Sequence, residues 1–206
     1  MVAKEHGCQV TGIDISEVLI SKAKDRSNRM GLTNVRFQVA DATRLPFGDD
    51  SFNAVFGVAL VALIPLKEEV LQELKRVTKP GGSIGILDLF AKTGADKEIV
   101  ESFSTSMKIL LEYDVSILDI EKWRGIFERL ELESISIEEN YHNVLLLARK
   151  PSGTIKATIK MLYHMLINGA VRKRMMKLMR LRKIAIMKDD EGFKHLGYLV
   201  FTGHKM

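Results

Sequence analysis

Cysteine is almost missing from these 206 residues: Cys8 stands alone. One thiol excludes an intramolecular disulfide framework and a multi-thiol zinc site, so a reducing, cytoplasmic compartment is the expectation. Export is not expected either, because "MVAKEHGCQV" places Lys4, Glu5 and His6 where a signal segment needs an apolar core. No uncharged run is long enough to cross a bilayer as a helix. The longest, Ser51 to Leu66, has sixteen residues and holds a Gly and a Pro, so it reads as a buried strand followed by a loop. Internal repeats and low-complexity tracts are absent. One further absence raises a question. "VTGIDISEVLISKAK" (Val10–Lys24) reads as a short buried strand ending on an acid and running into a helix. A nucleotide-binding fold carries a glycine-rich loop about 20 residues upstream of such an acid. Only thirteen residues precede Asp14.

What is present is a globular composition, 46% hydrophobic and 28% charged, of a length that suits one domain with an appendage. The net charge of +5 is uneven. Residues 1–150 hold 19 Lys+Arg against 23 Asp+Glu, whereas 151–206 hold 12 against 3. That asymmetry places a boundary at "RKPSG", Arg149–Gly153, between a core (1–150) and a basic segment (151–206), and hints at an anionic partner.

Along the core, Ser16 is positioned to cap a helix running to Met30, with Gly31 as a left-handed stop. "VRFQVA" (Val35–Ala40) alternates as a strand. From Lys67 onward, Val70, Leu71, Leu74 and Val77 share one helical face, and "KPGG" (Lys79–Gly82) turns the chain into the buried strand "SIGILDLF". A mostly helical stretch to Leu130 precedes the strand "LESISIE". Strands alternating with helices of this length predict an α/β fold, a doubly wound, mainly parallel sheet.

Open sheets of this kind bind ligands at the carboxyl ends of their strands. Three features fall there. Asp14 offers paired acceptors suited to two ribose hydroxyls, and Ile15 a flat apolar surface for a purine. Asp41 can accept from an exocyclic amine while the Ala42 N–H meets a ring nitrogen. Gly57-Val58 ends its strand without a bulky first side chain, letting backbone approach a ligand. Each alone is as well read as a cap or turn residue; the order of all three is more specific. Asp88, and Tyr141 with His142, are acceptor-side candidates whose plainer readings are a capping carboxylate and a hairpin turn. Cys8 reads as a small apolar residue packed at a strand start.

With these residues in place, "VTGIDIS", "VRFQVADATRLPFGDDSFNAVF" and "LQELKRVTKPGGSIGILD" resemble the class I S-adenosylmethionine-dependent methyltransferases of the small-molecule kind. The resemblance spans about Val2 to Lys150. It implies a Rossmann-like core with S-adenosylmethionine as cofactor. Asp14 would then bind the ribose and Ile15 the adenine face, Asp41 and Ala42 would hold the adenine edge, and backbone near Gly57 and Val58 would face the methionine end. Two departures stand out. The family's opening strand and acidic-x-G-x-G motif do not occur, so the chain is expected to be N-terminally truncated, with "MVAKEHG" as the last turn of the following helix. The missing strand would lie in the middle of the sheet, between the strands ending at Asp14 and Gly57. Its loss would leave buried N–H and C=O groups unpaired, at about 1–3 kcal/mol each. The loop after Gly57, "VALVALIP", also has Ala62 and Leu63 where the family often carries histidines. In-line methyl displacement can rest on positioning and desolvation, so an absent base does not exclude activity. No Asn/Asp-Pro-Pro-aromatic sequence points to a nucleobase amine as acceptor, and the scarcity of cysteine argues against arsenic methylation.

The basic segment reads as two amphipathic helices broken at Asn168-Gly169. They are expected as an insertion or lid over the acceptor site, before a closing strand in "YLVFTGHK" (Tyr198–Lys205); "NVLLLARK" (Asn143–Lys150) is the competing closing strand. Through residues 171–188 they could also touch an anionic membrane; nucleic acid fits less well. The implied partner is a small-molecule or lipid-like methyl acceptor. Two other readings remain: a non-catalytic, methyltransferase-like protein using its basic helices on membrane, RNA or protein, and a nicotinamide-dependent dehydrogenase, against which "ADA" and "KPGG" speak.

Overall fold

The computed structural model describes residues 2–111, 115–141 and 194–206. A short helix α1 (Val2–His6) stops at Gly7, whose φ of +65° is the left-handed geometry that glycine tolerates. Asn34 holds it down, its Nδ2 donating to the carbonyls of Ala3 at 3.0 Å and Cys8 at 2.8 Å. Strand β1 (Val10–Asp14) leads to α2 (Glu17–Arg29), capped by Ser16, whose Oγ accepts from the Leu19 N–H at 3.3 Å. Gly31 at φ +64° ends it. Strands β2 (Val35–Val39) and β3 (Phe52–Val58) follow, then a 3₁₀ turn (Val61–Leu63) and α3 (Lys67–Val77). The remaining elements are β4 (Thr78–Ala91), α4 (Lys97–Leu111), α5 (Ile120–Glu128), β5 (Leu132–Asn140) and β6 (Leu196–Lys205).

The strands form two sheets. β1 pairs in parallel with β2, from Val10 opposite Val35 to Asp14 opposite Val39. The other sheet has the order β3-β4-β6-β5: β3 and β4 are parallel, and β6 runs antiparallel between β4 and β5. Only β6 is reversed, so the fold is the α/β, mainly parallel arrangement. The closing strand is the segment containing "YLVFTGHK". The rival "NVLLLARK", the boundary at Arg149–Gly153 and the basic segment through Phe193 lie outside the described residues, as does His142.

The core sits on the helix-covered face of the larger sheet. Val70, Leu71, Leu74 and Val77 of α3 pack there against Ile84, Ile86 and Phe90, alternate residues of β4. Trp123 and Phe127 of α5 complete it; Phe127 stacks on Phe201 of β6 at 3.7 Å between ring centroids. Three local expectations need correcting. "KPGG" is no turn between elements but a bulge inside β4, which shifts its register against β3 between Phe52/Ala54 and Thr78/Ser83. Gly81 takes φ +71°, and a Cβ on Gly82 would lie 2.9 Å from the Asn53 carbonyl oxygen. Cys8 is exposed rather than packed, because the strand begins two residues later. The third concerns the strands expected to be buried. β1 is half-buried and β3 is largely open, with Phe56 58% and Val58 60% exposed. The cause is topological. Among the described residues β1 pairs only with β2 and β3 only with β4, so each keeps one free backbone edge. Both strands nevertheless feed one core, against which Ile13 and Val55 pack.

Candidate functional site

Asp14 and Asp41 stand at the carboxyl ends of neighbouring, hydrogen-bonded parallel strands. Asp14 closes β1 opposite Val39, and the Ala40 N–H donates to the Asp14 carbonyl at 3.1 Å. Asp41 therefore lies two residues beyond the last register pair. Each carboxylate uses one oxygen locally. Asp14 Oδ1 accepts from the Ser16 N–H at 2.8 Å, which sets the turn into α2. Asp41 Oδ1 accepts from both the N–H and the hydroxyl of Thr43, each at 2.8 Å. Among the described residues each Oδ2 accepts no hydrogen bond, and the Ala42 N–H donates none. Ile15 is 56% exposed beside them, while the Ala42 side chain is buried in the core.

Gly57 and Val58 fall on the other sheet, across the unpaired edges. Gly57 is buried, and its missing Cβ is accounted for by packing: a Cβ there would stand 3.1 Å from Leu60 Cδ2 and 3.3 Å from Ile86 Cδ1. The expected approach of ligand to a bare backbone is therefore not what this glycine provides on its covered face. Val58 points to the open face. Two open depressions, of about 400 and 430 Å³, lie along Pro65–Glu69 and along Val100–Thr105, not over Asp14 and Asp41. Among the described residues no strand lies between the edges of β1 and β3.

Sequence reading missed the supports of this region. Arg76 donates through Nη1 to the Phe47 carbonyl at 2.9 Å and to Asp49 Oδ1 at 2.7 Å, and through Nη2 to the Leu45 carbonyl at 3.2 Å. Glu73 pairs with Arg76 at 2.7 Å and accepts the Leu45 N–H at 2.7 Å. The Arg76 guanidinium holds the Glu73 carboxyl below its ordinary range, and Glu73 in turn raises the guanidinium. Together they fix the loop that follows Asp41. The only sequence signal was an i, i+3 Glu/Arg spacing, which more often marks a surface pair.

Asp88 is 1% exposed and caps the 3₁₀ turn: Oδ2 accepts from the N–H groups of Val61 at 2.7 Å and Ala62 at 3.0 Å, and Oδ1 from Leu89 at 2.8 Å. This is the capping reading. Burial pushes its carboxyl up, against the opposing pull of these N–H groups and the Lys67 charge. Tyr141 donates its hydroxyl to Glu139, which Arg124 also holds at 2.6 Å. Its ring meets Phe90 edge-on at 5.6 Å.

A parallel-dominated α/β sheet with acids at adjacent strand tips is the arrangement of a nucleotide-cofactor-binding fold, and comparison gives the family. A family described as "Methyltransferase domain" matches residues 2–145, and the chain belongs to it: a class I S-adenosylmethionine-dependent methyltransferase domain. Relatives include the Methyltransferase GfsG of Streptomyces halstedii, 29% identical over 142 residues, 67% of this chain and 49% of that protein. The phosphatidylethanolamine N-methyltransferase of Cereibacter sphaeroides is 35% identical over 97 residues, 47% of this chain and 48% of that one. The chain thus spans about half the length of the curated relatives it matches. Among solved structures, the phosphoethanolamine N-methyltransferase 2 of Haemonchus contortus in complex with S-adenosyl-L-methionine superposes with a TM-score of 0.70 at 22% identity, over 99% of this chain and 45% of that one.

Proposed function

We propose that this domain binds the adenosyl part of S-adenosylmethionine at the tips of β1 and β2 and passes its methyl group to a small or lipid-like acceptor. The observation that carries the reading is the pair of half-engaged carboxylates, Asp14 and Asp41, flanking an unpartnered Ala42 N–H and the exposed Ile15. Their chemistry fits an adenosine. A ribose diol donates two hydrogen bonds to one carboxylate, an adenine amine donates to the other, and a ring nitrogen accepts from the backbone. Ile15 offers its apolar side to the ring. Bound there, S-adenosylmethionine would supply an electrophilic methyl on a sulfonium. The residues around it need only orient the partners and exclude water. Gly57 and Val58 would line the methionine end.

Relatives named as phosphatidylethanolamine and sterol methyltransferases support a lipid-like acceptor, as do the exposed Phe56 and Val58. The setting we propose is the cytoplasmic side of an anionic membrane, reached by residues 171–188. No helix among the described residues is long and apolar enough to cross one. The test is transfer of labelled methyl from S-adenosylmethionine to vesicles containing phosphatidylethanolamine, to sterol and to small amines. Label in any acceptor that D14A and D41A abolish supports the reading, and no transfer to any of them overturns it. Vesicle binding that does not weaken with added salt would remove the membrane part.

A further inference from the structure

The loop between β3 and α3 carries almost nothing but hydrocarbon, yet two buried charges of opposite sign lie against it. Asp88 is 1% and Lys67 7% exposed. Both are turned onto the loop backbone. Asp88 takes the N–H groups of Val61 and Ala62; Lys67 Nζ donates to the carbonyls of Val61 at 2.7 Å and Ile64 at 3.1 Å. Most other polar groups of the turn, though not the Leu60 N–H, are also closed internally. Ala59 N–H donates to the Leu87 carbonyl, Leu63 N–H to Leu60, Ile64 N–H to Val61, and Ser116 N–H to the Ala62 carbonyl. Ala59 has a φ of +48°, which its Cβ disfavours, so the loop does not hold this shape by local preference.

We propose that Asp88 and Lys67 are positioning residues that lock residues 59–64 as a dry, apolar wall for the methyl acceptor. The proposal rests on the methyl-transfer reading and narrows its substrate class. A wall with only the Leu60 N–H left to donate has little to offer a polar acceptor, whereas an alkyl chain or fused ring loses little against it. Asp88 is no acceptor-side base in this arrangement, because it is 1% exposed and its oxygens face backbone N–H groups rather than the open face. The exposed Val58 and Leu66 flank the wall and extend its apolar surface.

The test uses the 206-residue chain, amide exchange by NMR, and two probes: dodecylphosphocholine below its micellar concentration and phosphocholine, which lacks the chain. D88N should speed exchange at Val61 and Ala62 at least tenfold while Trp123 to Phe127 stay within twofold. The dodecyl probe should shift amides between Val58 and Leu66, phosphocholine should not, and D88N should weaken the dodecyl response at least fivefold with S-adenosylhomocysteine affinity kept within twofold. If D88N does not fold, K67M, which keeps the apolar stem, should give the same selective loosening. Unchanged exchange at Val61 and Ala62 in the variants that fold, or dodecyl binding indifferent to them, overturns the proposal. Should the loop respond as described while the wild-type chain ignores S-adenosylhomocysteine, the wall stands and the methyl-donor reading falls.

Discussion

Asp88 shows how one buried carboxylate can tie stability to pH. Its pKa is raised chiefly by burial, above the ordinary aspartate value of about 3.9. The folded state therefore binds its proton more tightly than the unfolded state. The stability linked to that proton is present at low pH and is lost as pH rises from the ordinary value through the raised one. In urea titrations across that range, wild type should lose stability relative to D88N, which has no proton to release. A wild-type advantage that grows with pH would contradict the assignment. At this scale the sequence was a fair guide: the strand-end acids Asp14 and Asp41 and the capping role of Asp88 were visible as residue types, although β4 runs on past Asp88 to Ala91. Lys67 was not, because a lysine at a helix start gives no hint that tertiary packing will bury it on a loop carbonyl.

Elements were legible where their signals are local. The caps at Ser16 and Gly31 and the α3 stripe follow from spacing and from backbone geometry that neighbours in sequence dictate. The bulge at Lys79–Gly82 and the openness of β3 were not legible, since both depend on what lies across the sheet. Glycines separate the two kinds of constraint. A Cβ on Gly197 of β6 would stand 2.6 Å from Phe90 Cε1 and 2.8 Å from the Asn140 carbonyl oxygen, neither free to retreat. Gly197→Ala should lower stability by about 1–3 kcal/mol. In α5 a Cβ on Gly125 meets nothing nearer than Arg129 Nη1 at 3.6 Å, so Gly125→Ala should raise stability by about 0.5–1 kcal/mol through helix propensity. Thermal melts of the two variants check both signs; equal losses would mean that packing at these glycines has been misjudged.

Across the whole molecule the dominant feature is the division of the described strands into two sheets. Among the described residues the facing edges of β1 and β3 pair with no strand, and β1 and β2 are tied to the rest mainly by side chains such as Ile13 and by the Arg76–Glu73 hold on the loop after Asp41. Hydrogen exchange should therefore find the β1 and β3 amides less protected than those of β4, which is paired on both sides. Uniform protection through all three would show that the edges are covered. The division bears directly on the site, because Asp14 and Asp41 stand at the strand ends of the smaller sheet.

The decisive measurement is calorimetric titration of the chain with S-adenosylhomocysteine, beside D14A and D41A. If the two strand-tip carboxylates grip one adenosine, wild type binds and each substitution weakens binding by about 1.5–3 kcal/mol, roughly ten- to a hundredfold. Binding that is unaffected by both substitutions would place the adenosyl group elsewhere and contradict the site.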